Sequence, residues 1–461
     1  MELNESSQDN NISIKYLINR FLKSRSAHNG IWLYLLQIFN TIIPLFTLPY
    51  ITRILGPSEY GIFNIALNFI GYLQVIVEYG FTMSATRRIV GITNKFGGVS
   101  NTLTLLTTKR SKSEKTVIAQ QDAVVESISE LFSSIIASRF ILLISSGIIV
   151  CLYVLFYMHD TETIYCLILL FMGLFGIVIQ QNWMFQGLQD MKYISITFMV
   201  ARTISVVCVF LFVKESDDLI YYCLFQSGTT IIDGLVGFLI AKFKYHLKFY
   251  FVKIKNIANE LKDGWYVFTT QISGRIFGAI GITFLGIFST STEVGLYSAI
   301  QKIPAIIGLL WGPIAQVLYP ISSSRIMADF NQGKDFILKI RRHIVPLFGL
   351  GNLILMIFSR FIIRIAFGED YISHFYWVIP LLIWNIVAID NNFFGIQILL
   401  GSGHDKEYSR CFFVSVIATI VSNFVLIYFF GGNGACLAPL LAEIILGILL
   451  RKEIKSIENV N

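Results

Sequence analysis

Charge is scarce in this chain. Lys, Arg, Asp and Glu make up 14% of its 461 residues, where an average soluble protein carries roughly 25%, and that excludes an ordinary water-soluble globule. The six cysteines (Cys151, Cys166, Cys208, Cys223, Cys411, Cys436) lie in or beside apolar runs with no C-x-x-C pair, so neither a disulfide framework nor a zinc site is expected. The six histidines are scattered without an H-E-x-x-H, and no G-x-x-x-x-G-K-[ST] phosphate loop occurs. ATP hydrolysis by this chain is therefore not expected, and no cofactor, metal, enzymatic activity or nucleic-acid partner is expected either. The first 30 residues hold Lys15, Arg20, Lys23 and Arg25 but lack the short apolar core of a secretory signal. The first long apolar run is accordingly read as a span rather than a cleaved leader.

What is abundant is apolar surface. Hydrophobic residues make up 55%, aromatics 14%, and the mean hydropathy is +0.67, more than the interior of two soluble domains could hide. A helix needs about 20 apolar residues to cross a hydrocarbon core. Twelve stretches qualify or nearly do: 31–52, 61–82, 133–157, 163–185, 194–213, 219–241, 265–288, 295–318, 344–366, 375–400, 409–430 and 434–450. The expected fold is an all-α polytopic membrane protein. Lys and Arg are retained on the cytoplasmic side, and with the N-terminus inside, 28 of the 36 fall on inner segments. The outer loops keep only Arg53, Lys214, Arg360 and Arg364. Both termini are then cytoplasmic, and the outer loops are too short for an extracytoplasmic catalytic domain.

An internal repeat adds architecture. SEYGIF (58–63) and TEVGLY (292–297) open apolar spans at an offset of 234, and GLQDMKY (187–193) matches GSGHDKEY (401–408) at 214. Residues 83–132 supply the difference. They contain a threonine-rich stretch (101–110), then Val117, Val124, Val125, Ile128, Leu131 and Phe132 on one helical face. Two readings stand for this segment, a partner-binding arm or an insertion that lies on the membrane or extends the third span. Six spans per repeat gives two parallel six-helix bundles, 31–241 and 265–450. They are joined by a basic linker, 242–264, and flanked by cytoplasmic tails 1–30 and 451–461. Substrate then belongs near the midplane between the halves. Pro44 and Pro49, Gly274, Gly278 and Gly281, and Pro304, Gly308, Gly312 and Pro313 are expected to break their spans beside a cavity. Close packing through Gly274-x-x-x-Gly278 is the alternative. The linker mixes Lys with Phe and Tyr, as an amphipathic helix on an anionic leaflet would.

The blocks IWLYLLQIFNTIIPLFTLPYITRILGPSEYGIF (31–63), EYGFTMSATRRI (78–89), NWMFQGLQDMKYISI (182–196), STEVGLYSAIQKI (291–303) and GGNGACLAPLLAE (431–443) run through nearly the whole chain. Together they resemble the oligosaccharide flippases, the Wzx-type O-antigen and capsule translocases, which share a superfamily with multidrug efflux transporters. The resemblance implies a bacterial cytoplasmic (inner) membrane protein that moves undecaprenyl-diphosphate-linked oligosaccharide repeat units outward. It would act among membrane lipids and alongside a polysaccharide polymerase and a chain-length regulator.

Charges inside spans are costly unless they face a cavity or a partner. Arg275 lies about 15 Å deep at 1.5 Å per residue, at the midplane, and Lys302 about 10 Å from the outer end. Arg139 and Arg202 also lie within spans. A guanidinium suits phosphate oxygens, so Arg275, Lys302 and the outer Arg53 are candidate substrate ligands. Asn182, Asn391 and Asn392, beside Gln180, Gln181 and Gln397, could pair with sugar hydroxyls or with neighbouring helices. The in-span acids Glu78, Asp233, Asp390 and Glu443 are candidates for proton or sodium coupling, with interhelical ion pairs as the alternative. An ion-coupled small-molecule efflux antiporter would prefer an acidic cavity, which Arg275 and Lys302 oppose. A membrane-embedded sugar-polymerising enzyme would need larger outer loops.

Overall fold

The computed structural model describes residues 25–107, 115–158 and 160–458. Lys15, Arg20 and Lys23 of the N-terminal tail, and Thr108, Lys109 and Arg110 of the threonine-rich stretch, lie outside the described residues, as does the side chain of Val117. All regular structure among the described residues is helical. In chain order the helices are α1 (Arg25–Glu78), α2 (Phe81–Lys95), α3 (Val99–Thr107), α4 (Lys115–Tyr157), α5 (Thr161–Ile179), α6 (Asn182–Gly187), α7 (Lys192–Phe212) and α8 (Leu219–Lys244). They continue with α9 (Ile254–Phe288), α10 (Ser291–Ile300), α11 (Lys302–Ala328), α12 (Phe330–Ile357), α13 (Ser359–Ala366), α14 (Val378–Asn392) and α15 (Asp405–Glu458). Among the described residues, ten helical stretches are long and apolar enough to cross a membrane, so the chain is a multi-pass membrane protein.

Two compact units divide the chain. The first comprises residues up to Thr47, Ile70–Lys214 and Ile220–Ser273; the second comprises Leu48–Phe69, Glu215–Leu219 and Gly274–Asn461.

In the first unit, α4 runs 43 residues without a break, about 65 Å at 1.5 Å per residue. Residues 115–132 of the 83–132 segment are thus continuous with the helix of the expected third span, while Phe81–Lys95 and Val99–Thr107 form separate helices. The face expected from its periodicity is the buried one: Val124 and Ile128 are fully buried and Leu131 and Phe132 nearly so. Helix α3 is held to it by Gln121, whose amide donates to the Leu105 carbonyl at 2.8 Å. The linker departs from expectation. Helix α8 ends at Lys244 and α9 begins at Ile254, and the residues between are not helical. The hydroxyls of Ser129 and Ser133, one turn apart on α4, accept the backbone N–H groups of Lys248 (3.0 Å) and Tyr250 (2.9 Å). Alternate amides bonded to a neighbouring helix suit an extended strap and compete with an amphipathic helix.

In the second unit, helix breaks follow backbone chemistry. Helix α1 is interrupted at Gly56 (φ 69°, ψ 176°), with Pro57 next. Glycine supplies the left-handed turn, and proline starts the following helix without a wasted donor. Pro49, and Pro44 in the first unit, both expected as breaks, lie within continuous helix. The eighth span does break, since α10 ends at Ile300 and α11 starts at Lys302; Pro304 has no N–H to offer the Ile300 carbonyl. Helix α15 is interrupted at Gly431 (φ 54°), where Glu293 of α10 accepts the N–H of Gly432 at 2.7 Å. Nearby, Trp377 donates to Asn433 at 2.8 Å. The repeat-related segments 58–63 and 292–297 cross one another at their glycines. A Cβ on Gly61 would lie 1.7 Å from the Ser291 carbonyl oxygen, and one on Gly295 would lie 1.9 Å from that of Pro57. Pro57 and Ser291 are themselves related by the offset of 234, so the crossing is symmetric. Trp311, Ile337, Phe393, Ile398 and Leu399 belong to an apolar core of this unit.

Candidate functional site

The second unit encloses a cavity of about 510 Å³ lined by residues of α1, α9, α10, α11, α14 and α15. Two cations reach it. Arg275 stands on α9, and its Nη2 donates to the carbonyl (3.2 Å) and side-chain oxygen (3.3 Å) of Asn68. Lys302 opens α11 at the break. Asn64 and Asn68 are one turn apart and share the cavity-facing side of α1; Asn68 also donates to Thr283 at 2.9 Å. Gly274 and Gly278 are not a packing motif, because a Cβ on either would meet nothing within 4 Å, and Gly278 is part of the cavity wall. Helix α9 runs unbroken through all three glycines that were expected to interrupt it.

The remaining wall comes from α14 and α15. Glu443 accepts a hydrogen bond from Asn391 (3.1 Å). Asn385 donates to the Pro304 carbonyl at 3.3 Å, and Asn423 to that of Thr419 at 2.8 Å. Both amide groups are at least nine-tenths buried, and their side-chain oxygens have no partner among the described residues.

Of the residues singled out in the sequence, Arg275, Lys302 and Glu443 share this cavity, and Asn391 supports Glu443 from behind. Arg53 does not line it: its guanidinium donates to the Ile365 carbonyl. Asn392 accepts from Gln397 at 3.4 Å. Asp390 sits between two arginines, Arg341 (2.6 Å) and Arg451, which tie α12, α14 and α15 together. Residues not anticipated are Asn64, Asn68, Gln301, Trp384, Asn385 and Asn423. Their signal was a polar side chain in an apolar run at helical spacing, as in the Asn64/Asn68 pair.

The first unit holds the other candidates. Asn182 opens α6 after a break at Gln180 and Gln181, and buried Arg139 donates to the Ile177 (3.1 Å) and Gln180 (2.7 Å) carbonyls exposed by that break. Asp233 is buried and accepts from a neutral donor, Gln180. Glu78 accepts from Gln74 at 2.9 Å, and Arg202 donates to Gln226 at 2.7 Å. Between α6 and α7, Asp190 accepts from Tyr245 (2.6 Å) and Lys244 (3.2 Å), with Lys192 at 3.6 Å. Burial pushes its carboxyl up, but the Tyr245 hydrogen bond and the two ammonium groups outweigh that and hold it below the ordinary carboxylate value.

Known proteins show the same architecture. The family described as "Polysaccharide biosynthesis protein" matches residues 26–326. A "Putative O-antigen transporter" of Escherichia coli (strain K12) is 24% identical over 426 residues, covering 92% of this chain and 95% of its own. The "Probable low-salt glycan biosynthesis flippase Agl15" of Haloferax volcanii is 24% identical over 241 residues, 50% of this chain and 47% of its own. Among solved structures, lipid II flippase MurJ in an inward closed conformation aligns with a TM-score of 0.62 at 13% identity, over 93% of this chain and 87% of its own, which establishes a shared fold. With the family match extending over well more than half of its length, this chain belongs to the polysaccharide biosynthesis protein family.

Proposed function

We propose that the protein carries undecaprenyl-diphosphate-linked oligosaccharide repeat units, of O-antigen or capsule type, from the inner to the outer leaflet of a bacterial cytoplasmic membrane by alternating access. The observation that carries this reading is the pair Arg275 and Lys302 on one amide-lined cavity inside apolar helices. Two fixed cations in lipid-embedded helices fit a diphosphate, and amides fit sugar hydroxyls. The full-length O-antigen transporter relative supports the same cargo. An efflux antiporter for small cations is less suited, since the cavity holds two bases against the single acid Glu443.

Reading α1 as two spans divided at Gly56, and α15 as two divided at Gly431, raises the ten apolar stretches to twelve. That supports two six-span halves, 31–241 and 265–450, with both termini cytoplasmic. A polymerase and a chain-length regulator would act on the delivered unit. In this reading Asp390 braces helices through its two arginines, whereas Asp233, with the neutral donor Gln180, is the coupling candidate for a proton or sodium ion.

The test is a deletion strain in which lipid-linked sugar is assigned to a leaflet with an impermeant oxidant. Accumulation on the inner leaflet is expected. Unpolymerised units on the outer leaflet would instead indicate a polymerising enzyme, and normal export would remove the reading.

A further inference from the structure

The cavity presents two different chemistries, and they come from different helices. Donors and positive charge come from α9 and α11, through Arg275 and Lys302. On α14 and α15 the unpartnered buried oxygens are acceptors. Asn385 and Asn423 each donate one amide N–H, to the Pro304 and Thr419 carbonyls, and their buried side-chain oxygens have no partner among the described residues. Glu443 adds carboxylate oxygens, one of which accepts from Asn391. Trp384 itself is half-buried and lines the same wall, where its ring offers an apolar surface.

Buried acceptors without donors are unfavourable until a donor arrives. A sugar ring supplies that donor set: several hydroxyls on its edge, and an apolar C–H face that packs on an indole. An acidic sugar supplies the wrong set, since its carboxylate would meet the Glu443 carboxylate and two amide oxygens without a proton to share. The two cations would not rescue it, because in the reading above they hold the diphosphate.

Resting on that reading, we propose that Trp384, Asn385, Asn423 and Glu443 form a subsite for a neutral or N-acetylated sugar carried next to the diphosphate, and that Glu443 makes this subsite reject acidic sugars there. Asn391 is a positioning residue that aims Glu443. Gly447 leaves room for this arrangement, since a Cβ there would stand 2.5 Å from the Asn391 oxygen.

The experiment uses the full-length protein in lipid nanodiscs. The probes are inorganic pyrophosphate and short-chain prenyl diphosphates that carry either N-acetylglucosamine or glucuronic acid. The wild type should prefer the N-acetylglucosamine probe by about tenfold, equivalent to about 1.4 kcal/mol. Glu443→Gln should bring the two probes to within about twofold, with pyrophosphate still bound. Trp384→Ala should lose the affinity that the sugar adds over the bare prenyl diphosphate, while Trp384→Phe keeps most of it. Retained pyrophosphate binding reports that each variant is folded. Undiminished discrimination in Glu443→Gln, or an undiminished sugar contribution in Trp384→Ala, would overturn the subsite alone. Indifference of every probe to Arg275→Ala would overturn the diphosphate reading and the subsite with it.

Discussion

Replacing Arg275 by alanine tests the cavity most directly. In the free protein its Nη2 makes two long contacts with Asn68, at 3.2 and 3.3 Å. Hydrogen bonds of this kind contribute about 1 kcal/mol net, a small share of the roughly 5–15 kcal/mol that holds a fold together. The variant should therefore insert and accumulate. Bound to a diphosphate, the same guanidinium would make charge-assisted hydrogen bonds in a low-dielectric site, each contributing about 1.5–3 kcal/mol. Loss of about 3 kcal/mol lowers affinity by about two orders of magnitude. Calorimetric titration of pyrophosphate should show that drop for Arg275→Ala and an intermediate loss for Arg275→Lys, which keeps the charge but not the planar fork. Export measured in a complemented deletion strain should be abolished by the alanine variant and partly restored by the lysine variant. Normal export by Arg275→Ala, or failure only because the protein is degraded, would refute phosphate binding and leave Arg275 a structural residue.

Lys302→Ala should weaken export less than Arg275→Ala, because an ammonium on a flexible stem binds phosphate as a point charge without the bidentate geometry; a side-by-side export assay decides this. Gly61→Ala should lower thermal stability in detergent by about 3 kcal/mol, since its Cβ would overlap the Ser291 carbonyl, whereas Gly274→Ala, facing open space, should be neutral. The Asp190 carboxyl is held below its unfolded value, so its contribution is present above pH of about 4 and is lost as pH falls through the folded value. Melting temperatures measured across that range should fall more steeply for wild type than for Asp190→Asn; parallel curves would remove the assigned role. For topology, single cysteines at 250 and 330 on a cysteine-free background should resist an impermeant thiol reagent that labels 160 and 216, and outward labelling at 250 would sink the proposed orientation.

Much of the architecture was legible because lipid imposes one strong rule, that spans must be apolar and helical. Helix continuity was less legible. Pro44 and Pro49 looked like breaks yet lie in helix, while the interruptions at Gly56 and Gly431 fall in the gaps expected between spans. A positive φ stops a helix, whereas Pro44 and Pro49 each remove one bond, which a long helix tolerates. The strap after α8 could not be read locally. Its partners, Ser129 and Ser133, lie more than a hundred residues upstream, and only the tertiary structure brings those hydroxyls to its amides. The Gly274/Gly278 pair shows the same limit in reverse. Small residues at that spacing permit close packing, but whether a helix or a void faces them depends on neighbours that the spacing does not encode.

The in-span charges sort by a single criterion once their surroundings are known. A charged or polar group away from water must be satisfied, and several are satisfied by protein: Arg139 by two carbonyls of a broken helix, Arg202 by Gln226, Asp390 by two arginines. Burial sequence and depth along a span were the same kind of clue for these as for Arg275 and Lys302, so sequence position could not separate the groups. What separates them is that the second group borders a cavity. The amides expected to bind sugar divide likewise: Asn391 is turned to Glu443 and Asn392 to Gln397, while Asn385 and Asn423, six residues before Asn391 and one helix away, keep open acceptors on the cavity side. A ligand for such a wall must bring negative charge to one set of helices and hydrogen-bond donors to the other. A sugar diphosphate carries both.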